Sequence, residues 1–115
     1  VNRAIDRFIE LFPLKKLGIV TPTPWAIYSN PTTGTINGTH MDEYASALVT
    51  ICKNRGIPCL DLYHESGLRP WLLSFRTEYY NDQSADHSDG VHPGTKGHKW
   101  IYPMFREFLK QFIIN

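Results

Sequence analysis

Apolar residues recur along this chain with two different periods. Over residues 2–16, Ile5, Phe8, Ile9 and Phe12 fall three or four apart, while Arg3, Asp6, Arg7 and Glu10 take the other face. That spacing predicts an amphipathic helix, which Pro13 is placed to end or bend. Leu17-Gly18-Ile19-Val20-Thr21 is a short apolar run followed by Pro22 and Pro24. It predicts a buried strand closed by prolines. Residues 29–39 read as a loop. A second helix is expected over about 40–54, with Thr39 and Asp42 as candidate caps. Its apolar face is Tyr44, Leu48 and Ile51, with Ala45, Ala47 and Val49 beside it, and Asn54-Arg55-Gly56 supplies the stop. Ile57 to Tyr63 predicts a second strand, running in through Pro58. Residues 64–88 form a long polar and aromatic connection with room for one short helix. The final helix is expected over 95–113 on the stripe Ile101, Phe105, Phe108, Leu109 and Phe112, with a kink or restart at Pro103.

The predicted order is helix, strand, helix, strand, helix. Strands separated by helices of this length pair in parallel through right-handed crossovers. Two parallel strands are too few for an open sheet that must be covered on both faces. The pattern therefore predicts one end of a larger doubly wound α/β domain.

Composition narrows this picture. At 115 residues the chain suits one small domain, and 42% apolar with 20% charged residues is a globular balance. The formal charge of +1 provides no electrostatic footprint for nucleic acid or an anionic membrane. No apolar run approaches the roughly 20 residues that span a bilayer. Val1 to Glu10 is too charged for a signal peptide, and the missing initiator Met points to a processed or truncated product. Cys52 and Cys59 match neither a zinc pattern nor a disulfide framework; two buried free thiols are expected, which points towards a reducing compartment.

The chemistry is concentrated in Asp86-His87-Ser88-Asp89-Gly90-Val91-His92-Pro93-Gly94-Thr95-Lys96-Gly97-His98. Asp89 and His92 are three apart across a turn eased by Gly90 and stiffened by Pro93. A carboxylate at that reach accepts from one imidazole nitrogen and leaves the other able to take a proton. That is the base-and-orienter half of a nucleophilic triad. The plainer alternative is a turn with a local side-chain hydrogen bond. A metal site built from His87, His92, His98, Asp86 and Asp89 is a third, although the spacing matches no standard zinc motif. His98 reads as a helix-start residue, and His40 and His64 as loop or cap residues. Trp71, Phe75, Tyr79 and Tyr80, with Arg69 and Arg76, read either as a substrate-contacting wall or lid, or as a hydrophobic cluster under the long connection; the cluster is favoured.

Asp89-Gly90-Val91-His92-Pro93, just before a helix in an α/β pattern, resembles the last block of the SGNH (GDSL-like) serine ester hydrolases, and Gly97-His98 continues it. Leu17 to Pro22 resembles the strand after that family's Asn-bearing block. Tyr44 to Tyr63 resembles its next helix and strand, and Ser66-Gly67-Leu68 its following loop. The resemblance implies the C-terminal part of a three-layer, flavodoxin-like doubly wound fold, with residues 1–115 as one partial domain. It implies that His92 is the base towards a serine and that Asp89 orients it, with no metal or cofactor. The substrate implied is a small acyl ester or an acetylated carbohydrate.

The family's Gly-Asp-Ser block is absent, as are the separate Gly and Asn of its oxyanion hole. Ser29, Ser46, Ser66, Ser74, Ser84 and Ser88 all lack a Gly-rich strand-to-helix turn. The chain alone is thus expected to be inactive. The N-terminal part of the same domain, or a second copy, would complete the sheet. The competing expectation is a non-catalytic binding module that keeps the C-terminal half of the fold and pairs through its open edge.

Overall fold

The computed structural model describes residues 1–27, 29–30, 34–36, 38–80 and 90–113. The first helix, α1, covers Asn2–Leu11. It stops short of residue 16 because a residue ahead of proline is driven out of helical geometry; Phe12, before Pro13, has φ −134° and ψ 61°. Strand β1 is Ile19–Val20, helix α2 is Met41–Asn54 and strand β2 is Cys59–Leu60. Three helices follow: α3 over Leu62–Glu65, α4 over Leu73–Tyr79 and α5 over Thr95–Leu109. A 3-10 turn, Lys110–Phe112, extends α5.

Among the described residues the sheet is the parallel pair β1–β2, with Ile19 opposite Cys59 and Val20 opposite Leu60. Ile19 N–H donates to Pro58 O at 3.0 Å and Thr21 N–H to Leu60 O at 2.9 Å, carrying the ladder just past the strand ends. The expected parallel α/β arrangement is present, with shorter strands than the apolar runs suggest. The second run is cut at Asp61, which caps α3 by accepting from His64 N–H. Leu62 and Tyr63, expected in the strand, are therefore helical. An Asp directly ahead of an apolar pair is a helix-start signal.

Side chains alternate across a strand, so Ile19 and Cys59 share one face and Gly18, Val20 and Leu60 the other. On the first face, Ile19 lines an apolar recess of about 260 Å³ with Ile5 and Phe8 of α1 and Leu48 of α2. Buried Ala45 and Cys52 of α2 belong to this layer. Tyr44, expected on the inner face, is 48% exposed; Met41, Ala45 and Cys52 take that place. On the second face, Leu60 joins Leu62, Leu68, Tyr80 and Ile101 in one buried cluster, with Val20, Phe75, Tyr79 and Phe108 against it. The aromatic-rich connection therefore contributes to the main core. Trp100 meets Phe75 and Tyr79 edge-on and donates to Ser66 O at 2.6 Å. Gly18 is where the rings of Phe108 and Phe112 close on β1; an added Cβ would lie 3.0 Å from Phe108 Cζ and closer still to Phe112.

Helix α5 runs through Pro103 without restarting. The proline deprives the Lys99 carbonyl of its helical donor, and both residues are exposed, so water can serve that carbonyl. Helix α1 is less well covered than its pattern promises: Ile5 is buried, but Ile9 and Phe12 are 44% and 49% exposed. No helix among the described residues is long and apolar enough to cross a membrane.

Gly97 is buried in the first turns of α5, where a Cβ would collide with Tyr79 O and lie 2.7 Å from Pro93 Cβ. Gly97→Ala should therefore lower stability by about 1–2 kcal/mol, overpacking outweighing the roughly 1 kcal/mol that alanine gains in helix propensity. Thermal unfolding of the full-length protein checks this; a higher midpoint would refute the close approach.

Candidate functional site

The sequence block expected to carry the chemistry leads into α5. Gly90 is the first described residue of that turn, and its φ of +69° suits glycine alone. Gly90 O accepts from Ala26 N–H at 2.6 Å, and a Cβ on Gly90 would come within 2.5 Å of Ala26 Cβ. Ala26 lies in the segment that leaves the carboxyl end of β1. The same segment is held by Tyr80, whose buried hydroxyl donates to Pro24 O at 2.7 Å. Burial pushes the Tyr80 phenol up from its ordinary pKa, so at neutral pH it stays a donor. Gly94 N–H donates to Tyr79 O at 2.8 Å. The turn holding His92 is thus fastened at Gly90 to the strand exit and at Gly94 to the end of α4. His92 itself is exposed. In open α/β sheets, this side of the strands is where ligands bind.

Asp89, its expected partner, lies outside the described residues, as do Asp86, His87, Ser84 and Ser88. His98 is in the first turns of α5, with its N–H donating to Gly94 O at 2.8 Å, as expected of a helix-start residue. Among the described residues no group of three or more His, Cys, Asp or Glu is arranged to hold a metal ion. Cys52 and Cys59 are free; Cys52 is buried and Cys59 half-buried. Burial, then the adjacent Cys52, push the Cys59 thiol up to about 12.

His40 caps α2: its Nδ1 accepts from Asp42 N–H at 3.1 Å and its Nε2 lies 2.7 Å from Asn30 O. It does the work expected of Thr39 or Asp42. His64 does more than cap. Its Nδ1 is 2.7 Å from Asp61 Oδ2, and its Nε2 is 2.5 Å from Asp42 Oδ1 and 3.3 Å from Ser46 Oγ. The order Ser46, His64, Asp61 thus repeats the contacts of a nucleophilic triad, in a place sequence reading passes over. Its setting argues against nucleophilic catalysis. Asp42 competes for the nitrogen that would take the serine proton. Ser46 sits mid-helix on α2, where backbone N–H groups are committed to helical bonds and cannot form an oxyanion hole.

Helices on both faces of a parallel pair, with a histidine turn fastened at a strand exit, define a layered α/β protein. The chain belongs to the GDSL-like lipase/acylhydrolase family, whose model matches residues 1–103. It also resembles two solved structures. The first, a crystal structure, has a TM-score of 0.73 and 22% identity, over 96% of this chain and 50% of that one. The second, a structural genomics target from Lactobacillus plantarum, has a TM-score of 0.68 and 20% identity, over 96% and 51%. At these identities the likenesses show a shared fold. This chain spans about half the length of either structure. No curated protein matches it.

Gly90→Ala should dislodge the turn, since it strains a positive φ and presses on Ala26. The expected cost is about 1–3 kcal/mol. In an amide spectrum the largest shifts should fall at Ala26 and across residues 90–94. Shifts confined to position 90 and its immediate neighbours would contradict the fastening.

Proposed function

We propose that this chain supplies the acid–base half of a serine ester hydrolase active site. His92 takes the proton from a serine hydroxyl and later returns it to the leaving alcohol, while Asp89 orients the imidazole and stabilises its charged form. The serine and the oxyanion donors come from polypeptide outside these 115 residues, from an N-terminal part of the same domain or from a second copy. Residues 1–115 then form one partial SGNH domain that is inactive alone. The substrate class is a small acyl ester or an acetylated carbohydrate.

The observation that carries this reading is the anchored placement of His92: Gly90 bonded to Ala26 sets the turn beside the carboxyl end of β1. Family membership over residues 1–103 supports the reaction type. The half-length match and a sheet of two strands among the described residues support the origin of the missing groups. The apolar recess beside Ile19 and the exposed side of α1 are surfaces that further strands and helices would cover.

The full-length protein should hydrolyse a short-chain nitrophenyl ester, and His92→Ala should lower kcat/KM by at least about a thousandfold. Asp89→Asn should also lower it steeply, because the orienting carboxylate is lost. An unchanged rate in His92→Ala would reject the assignment.

A further inference from the structure

A second cluster of titratable side chains joins α2 to the corner where β2 turns into α3. His64 lies at its centre, with Asp61 Oδ2 at 2.7 Å from one ring nitrogen and Asp42 Oδ1 at 2.5 Å from the other. A neutral imidazole has one N–H and one lone pair, so it can donate to only one of these carboxylates. The other nitrogen would turn its lone pair on a carboxylate oxygen. Only the imidazolium satisfies both. We propose that Asp42, His64 and Asp61 form an acid-stabilised clasp, which pins the first turn of α2 to the β2–α3 corner and loosens when His64 loses its proton. The clasp does not depend on the hydrolase reading.

Each element packed around His64 contributes a group. From α2 come Asp42 and the Ser46 hydroxyl, which donates to Asp42 Oδ1 at 3.3 Å. His40, capping α2, acts electrostatically on Asp42. From α3 and its cap come Asp61, whose Oδ1 accepts from His64 N–H at 3.1 Å, and the Tyr63 ring, edge-on with centroids 4.9 Å apart. Glu65 lies next in the same helix. From the end of β1, Thr21 Oγ1 donates to Asp61 Oδ1 at 3.2 Å and accepts from Tyr63 N–H at 3.0 Å. Asp61 is therefore fixed from behind. The weaker anchor is Asp42, whose side chain is 52% exposed.

Partial burial pulls the His64 pKa down, but the hydrogen bonds to Asp42 and Asp61 outweigh it, and the net shift is above 6.5. The hydrogen bond from His64 holds the Asp42 carboxyl below 3.8. A raised folded-state histidine stabilises fully below its unfolded pKa and loses that contribution as pH rises through the folded value. A depressed carboxyl stabilises above its unfolded pKa and loses it as pH falls through the folded value. The clasp is thus strongest between about pH 4 and pH 6.5.

The test is an imidazole titration by nuclear magnetic resonance on the full-length protein, together with thermal unfolding of the wild type, His64→Gln and Asp42→Asn at pH 5.5 and pH 8.5. His64 should titrate above about 6.5 in the wild type and move down towards that value in Asp42→Asn. Each variant should melt on the order of 3 °C below the wild type at pH 5.5, and the gap should shrink at pH 8.5. A His64 that titrates at or below the ordinary value overturns the clasp, as does a melting gap equal at both pH values. Asp42→Asn changes an exposed side chain, so it decides the matter even where His64→Gln fails to fold. No readout involves ester hydrolysis, so this test and that of His92 fail independently.

Discussion

Among the described residues, two residues of each strand carry the pairing that the layers close on. Ile19 with Cys59 and Val20 with Leu60 are the described ladder, and each pair presents side chains to opposite layers. Everything else is arranged around that pairing. Helices α1 and α2 close on Ile19 and Cys59, while α4, α5 and the 3-10 turn close on Gly18, Val20 and Leu60. A parallel pair has no hairpin to hold it, so its register depends on these layers. The contacts that look incidental, such as Phe108 and Phe112 against Gly18, are what keep the strands in place.

The layered α/β plan was legible from periodicity alone, because the apolar runs around Ile19 and Leu60 are short, flanked by proline or glycine, and separated by a helix-length amphipathic stretch. What was misread is local chemistry competing with hydrophobicity. Asp61 ends the second strand by capping a helix, although Leu62 and Tyr63 continue the apolar run. His40 rather than Thr39 or Asp42 caps α2, a choice that depends on an imidazole reaching a backbone N–H, which no propensity encodes. Tyr44 has the right spacing for an inner face, yet the small side chains of Ala45 and Cys52 allow α2 to approach the sheet on another side.

The site divides in the same way. The turn from Gly90 through Pro93 and the helix start at Thr95 could be read from sequence, because glycine and proline punctuate the chain there; whether His92 acts as a base belongs to the proposal. The structure adds the reason for its glycines: Gly90 meets Ala26, and Gly97 meets the end of α4. The His64 cluster has no linear signature. Asp42, Ser46, Asp61 and His64 come from two segments joined by the strand crossover, and only the fold makes them neighbours.

The two sulfurs carry one more consequence. Cys59 faces Cys52 across the joint between α2 and β2, and with its thiol pushed up to about 12 it is almost wholly protonated at neutral pH. Alkylating reagents attack the thiolate. Half-buried Cys59 therefore reacts slowly for want of thiolate, whereas fully enclosed Cys52 is reached only when α2 lifts from the sheet, which makes that one sulfur an internal clock for local opening.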